Sequence, residues 1–244
     1  MLIALALIIL LWRVKGTDFF ALRWGLTFFL AGETACAINI VAFSHDSYLL
    51  EYFHMYGMVL GFAFVIYAVI EALDSKILGF SDPQKKCALM GLCRQCRKYN
   101  ATYCGLQRLL YFLMPALIIL AFIPLLVNFN ALSYNTRVLG ILYNYSHPVI
   151  YQFFELRYAP IYALIFIGLS FLTLFAKEDN INVVKVLFAI GIGALAFSYL
   201  RMTFWGIYHD NFVWPNFWEE LTELIYTSGV AFIFWIFQRK LFRL

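Results

Sequence analysis

The sequence predicts an all-α integral membrane protein: a bundle of seven transmembrane helices, N-terminus outside and C-terminus cytoplasmic. Three observations carry that expectation. Hydrophobic residues make up 64% of the 244 and charged residues 13%, about half the roughly 25% charged content of a soluble domain. The apolar residues gather into seven segments separated by short polar connections. The lysines and arginines sort to alternate connections.

With so few polar side chains the chain cannot cover a water-facing surface, whereas a lipid-facing surface must be apolar. Its 244 residues are too few for such a bundle plus a soluble domain, so 1–244 reads as a single membrane domain. The net charge of +4 is spread over connections. As a total it is misleading and is no sign of nucleic-acid binding; the partner that the apolar surface implies is the lipid bilayer.

Each segment has its own signature. Residues 1–12 are apolar and are followed by Arg13 and Lys15. A secretory signal carries its positive charge before the apolar run and a small-residue cleavage site after it, so this segment reads as a retained helix. About 14 residues give only ~21 Å of helix against a hydrocarbon core of ~30 Å. If it stops short, the bundle has six full spans. Residues 19–44, 50–73, 109–132, 149–176 and 221–237 are each long and apolar enough to cross. Residues 183–205 are interrupted only by Lys185 near one end and Arg201 near the other. Gly57 and Gly61 form a G-x-x-x-G expected to bring helices close, and Gly191 and Gly193 are expected to do the same. Pro115, Pro124 and Pro160 are expected to kink their helices.

Orientation follows from the excess of Lys and Arg on the cytoplasmic side. With residues 74–108 placed inside, 15 of the 18 Lys and Arg fall on that side, leaving Arg137, Arg157 and Arg201 towards the outside. The expected location is a multi-pass protein of a prokaryotic inner membrane. All four histidines then lie on the outer side, with Glu51, Glu155, Glu219, Glu220 and Glu223.

The main chemical signal lies in the 74–108 loop, between helices 3 and 4. It contains KKCALMGLCRQCRKYNATYCGLQR, with Cys87, Cys93, Cys96 and Cys104 spaced C-x5-C-x2-C-x7-C. Cytoplasmic thiols stay reduced, so four converging thiolates read as a metal site rather than disulfides. Zinc sites usually pair two short knuckles, and only Cys93 and Cys96 make one. A [4Fe–4S] cube can be held by one compact loop. The spacing resembles the single-loop cluster motif of endonuclease III-type DNA glycosylases, C-x6-C-x2-C-x5-C, over these 18 residues only. That resemblance implies a [4Fe–4S] cluster and nothing about DNA repair. Zinc, and no metal at all, remain the alternatives.

Within the membrane, Glu33 lies near the middle of the second segment, with Cys36 and Asn39 following at i+3 and i+6. A carboxyl at that depth costs roughly 2.5–3.5 kcal/mol to insert and must be protonated, paired or turned to a polar cavity. It is expected to serve either as a proton carrier or quinone-site residue, or as an interhelical hydrogen bond. Arg201 is expected to pair with Glu155, and Arg23 to snorkel. His54 lies one turn into the third segment, with Met58 on the same face. His147 and His209 flank the fifth and sixth. A b-type haem needs axial imidazoles, which His54 with His147 or His209 would supply. Quinol oxidation near His54 and a plain interfacial role are the alternatives.

Together these features point to a membrane subunit of an electron-transfer complex, consistent with a non-catalytic subunit of an oxidoreductase. It would relay electrons between a cytoplasmic [4Fe–4S] cluster and a quinone or haem nearer the outer face. Its partners would be other subunits and a cytoplasmic protein docked on the cysteine loop. The alternative is a non-redox seven-helix sensor or assembly subunit with a structural zinc loop. A transporter is the third class; no inverted repeat supports it.

Overall fold

The computed structural model describes residues 1–44, 47–74, 104–127, 133–138, 141–146, 150–176, 181–208 and 217–241. They form seven helices, α1 (Leu2–Leu11), α2 (Thr17–Phe43), α3 (Tyr48–Leu73), α4 (Cys104–Leu126), α5 (Ile150–Phe175), α6 (Ile181–Tyr208) and α7 (Phe217–Leu241). Five helical stretches are long and apolar enough to cross a membrane: Thr17–Phe43, Tyr48–Leu73, Leu109–Leu126, Arg157–Phe175 and Ile181–Ile207. The chain is a multi-pass membrane protein on that ground.

Helix α1 has 10 residues, about 15 Å of helix, the shortfall that the sequence allows for the first segment. The fourth segment ends as a helix at Leu126, and its helix begins as early as Cys104. Cys104 therefore stands at the first residue of α4, where the cysteine-rich segment ends. The bundle is all-helical, as expected, with one addition in a connection. A two-stranded antiparallel hairpin, β1 (Ser133–Val138) and β2 (Ile141–Ser146), lies between α4 and α5, with Val138 opposite Ile141. Its strands, SYNTRV and ILYNYS, mix β-branched and aromatic residues with polar ones, a composition that favours an extended backbone over a helix.

Helices α3 and α6 form the centre. Helix α2 lies against α3, α5 against α6, α4 against α5, and α1 and α7 against the α2 and α6 sides. The α2–α3 contact follows a seven-residue rhythm. Asp18, Gly25, Gly32 and Asn39 are buried on α2, and His54, Met58, Gly61, Val65 and Ala68 on α3. Alternating steps of three and four keep one stripe of each helix facing the other, as in left-handed bundles. Glycine lets the backbones touch: a Cβ on Gly57 would lie 2.8 Å from Gly32 Cα and 2.8 Å from the Phe28 carbonyl oxygen. On the other side of α3, a Cβ on Gly193 of α6 would clash with the Ala63 backbone nitrogen. The close packing expected of these glycines is present.

Backbone groups left over by helix ends and prolines find partners. Pro124 has no N–H, so the Leu120 carbonyl loses its helical donor; the Tyr199 hydroxyl donates to that oxygen at 2.7 Å. Arg157 Nη1 donates to the Leu125 carbonyl at 2.7 Å, at the end of α4. Arg23 does not run to the interface alone. Its Nη1 donates to the Trp12 carbonyl at 2.7 Å and so closes the C-terminus of α1. At the α2–α3 turn, Asn39 Nδ2 donates to Glu51 Oε1 at 2.6 Å and Ser47 N donates to Asn39 Oδ1 at 3.0 Å.

Candidate functional site: a carboxylate, imidazole and guanidinium centre

Four helices bring polar side chains to one point inside the bundle. Helix α2 supplies Glu33, one residue after Gly32, whose missing side chain lets α3 approach. Helix α3 supplies His54, which is 1% exposed. Its Nδ1 lies 3.2 Å from the Gly32 carbonyl oxygen. A carbonyl only accepts, so that nitrogen carries the hydrogen, and in the neutral ring Nε2 holds the lone pair. Helix α7 contributes Glu219 and Glu223, one turn apart, and α6 contributes Arg201, which is 0% exposed.

The distances make one network. Glu33 Oε1 is 3.7 Å from His54 Nδ1, and Glu219 Oε1 is 3.7 Å from His54 Nε2. Arg201 Nη2 donates to Glu219 Oε1 at 3.4 Å and lies 3.6 Å from Glu223 Oε1. Ligand atoms of Glu33, His54 and Glu223 all fall within 4.8 Å of one another. Glu33 and Glu223 are also in hydrogen-bond contact with each other. Two carboxylates at that range repel unless a proton or a cation lies between them.

Aromatic rings close the centre on its inner side. Tyr226, one turn along α7 from Glu223, stacks on Phe62 with centroids 4.3 Å apart and lies 4.9 Å from Phe29. Phe62 meets Phe197 at 5.5 Å, and the Arg201 guanidinium lies 5.1 Å from the Phe197 centroid. On the other side is a cavity of about 360 Å³, between α1, α2 and α7. Glu33, Cys36, Glu220 and Glu223 give it a polar wall, and Met1, Ile3, Ile40 and Leu224 an apolar one. Those four apolar residues are also exposed, so the cavity opens at an apolar part of the bundle surface.

A second buried ionic cluster occupies the opposite end of α3 and α6. Lys185 Nζ donates to Asp74 Oδ2 at 2.6 Å and to Glu71 Oε1 at 3.0 Å. Asp74 and Lys185 are both buried. His54 and Glu71 are 17 residues apart on α3, about 26 Å of helix.

Of the residues singled out in the sequence, Glu33 and His54 are brought together. Asn39 is buried one turn beyond Cys36, as the polar stripe predicts. Cys87, Cys93, Cys96, His147 and His209 lie outside the described residues, as does the side chain of Cys104. Arg201 pairs with Glu219 and Glu223, because α7 returns its first turn to the end of α6; the expected pair with Glu155 falls on a side chain outside the described residues. The α7 carboxylates had a signal. Glu219 and Glu223 stand at i and i+4, on one helical face at the head of an apolar segment. Likewise Glu71 and Asp74 stand at i and i+3 at the end of another.

Comparison with protein-family models, curated proteins and solved structures finds no match for this chain. Its functional interpretation rests on its own residues.

Proposed function

We propose that the protein is the membrane subunit of an electron-transfer complex and binds a quinone or quinol at the Glu33–His54–Glu223 centre. Its electron partner would be a [4Fe–4S] cluster on Cys87, Cys93, Cys96 and Cys104, on the cytoplasmic side. The observation that carries the proposal is a cavity open to the apolar surface of the bundle and floored by carboxyl groups. A quinone is an apolar ring and tail with two oxygens. It needs apolar walls, lateral access from lipid, and a few convergent hydrogen-bonding groups. The cavity offers all three. Glu33 and Glu223 would accept from the quinol hydroxyls, while His54 and Arg201 hold the carboxylates in place. A haem on His54 is less well supported, because both ring nitrogens already face carboxylates at 3.7 Å.

The cluster would supply one-electron redox chemistry; the chain supplies position and electrostatics. The ~26 Å of α3 between the centre and the cysteine-loop end exceeds a single direct electron transfer, so a carrier on a partner subunit would bridge it. The same gap is what favours the second interpretation, a non-redox sensor or assembly subunit in which zinc on the four cysteines stiffens a docking loop.

Iron analysis, visible absorption and electron paramagnetic resonance of the reduced protein separate the two. About four irons per chain, an absorption band lost in Cys93→Ser, and quinone that co-purifies with wild type but not with Glu33→Gln are expected. A colourless, iron-free protein with one bound zinc would overturn the redox proposal.

A further inference from the structure

We infer that Glu33, His54 and Glu223 form a binding site for a divalent metal ion of the Mn²⁺, Fe²⁺ and Zn²⁺ class, separate from the cysteine loop. This inference goes beyond the quinone proposal and stands whether or not a quinone occupies the cavity.

Three helices each deliver one donor atom, all within 4.8 Å of one another. Oxygen and nitrogen donors around such an ion sit about 2.0–2.2 Å from it, which puts neighbouring donors roughly 3–4 Å apart. Closing the remaining distance takes about 1 Å of carboxylate rotation. The donor set, two carboxylates and an imidazole, suits hard and borderline ions and disfavours copper(I).

Two further observations point to a ligand. Glu33 Oε1 is buried and accepts no hydrogen bond among the described residues, while its own carboxyl touches that of Glu223. Glu33 and Glu223 are only 12–13% exposed, and a divalent ion between their carboxyl groups would hold together what otherwise needs a shared proton. The cavity wall formed by Glu33 and Glu223 gives access.

Mn²⁺ is the probe of choice because thiolates bind it poorly, so the cysteine loop does not compete. Purified full-length protein in detergent is titrated with Mn²⁺ alone, and free ion is followed by electron paramagnetic resonance. One saturable equivalent is expected, with a nitrogen coupling from the imidazole in the spin-echo spectrum. Affinity should fall at least about tenfold in Glu33→Gln and His54→Gln, and hold in Cys93→Ser. Wild type that binds no saturable Mn²⁺, a bound ion without nitrogen coupling, or binding unchanged in both variants would each overturn the proposal. The coupling needs no variant, so the outcome does not depend on their folding.

Discussion

Replacing Gly57 by alanine tests the backbone contact that aligns the polar centre. The added Cβ would sit 2.8 Å from Gly32 Cα and 2.8 Å from the Phe28 carbonyl oxygen. Non-bonded carbons rest at about 3.5–4.0 Å, so α2 and α3 must part by about 1 Å. Neither obstacle is a flexible side chain, so no rotamer change relieves the clash. Overpacking of this kind costs about 1–3 kcal/mol, against up to about 1 kcal/mol of helix propensity gained by alanine over glycine. A net loss of about 1–2 kcal/mol is expected. The same shift would stretch the His54–Gly32 contact from 3.2 Å past hydrogen-bonding range, so Mn²⁺ affinity should fall with stability. Gly168→Ala is the matched control, because its Cβ would meet nothing within 4 Å; it should be neutral or stabilising by up to about 1 kcal/mol. Thermal unfolding in detergent reads both. A Gly57→Ala protein as stable as wild type, or a Gly168→Ala protein equally weakened, would refute direct backbone packing.

Other perturbations have defined outcomes. Lys185→Met leaves buried Asp74 and its neighbour Glu71 without their cation; removing one partner of a buried pair costs about 3–5 kcal/mol, readable by thermal unfolding. Tyr199→Phe strips the donor from the Leu120 carbonyl that Pro124 leaves open, and should cost about 1 kcal/mol in the same assay. A membrane-impermeant maleimide should label Ser81→Cys, whose thiol is no proposed metal ligand, in inside-out vesicles and not in intact cells; the reverse pattern would invert the orientation.

Much of the membrane architecture was legible because apolar length is a strong signal in lipid. The interlocked glycines were legible for a similar reason: small residues at i and i+4 on an apolar helix have few other uses. Glu33 and His54 stood out as polar side chains within apolar segments. Their partners did not, because a contact between α3 and α7 depends on which helix returns to which neighbour. Lys185 was read as a flanking charge since its carboxylates lie more than a hundred positions earlier. The hairpin escaped because a short polar-aromatic stretch between two long apolar segments looks like an ordinary connection.

The two ionic clusters at the ends of α3 and α6 also bear on how the protein is made. Helix α6 reaches the bilayer with a cation near each end, Lys185 and Arg201. The carboxylates for Lys185, on α3, are already in place when α6 is synthesised. Those for Arg201, on α7, are not. During synthesis α6 would therefore be held first at its Lys185 end, with its other end left near the surface until α7 follows. The two contacts then fix the register of α6 against its neighbours from opposite ends, since a slip of one turn would separate both sets of charges. The order of helix arrival, and not α6's hydrophobicity alone, would complete the polar centre.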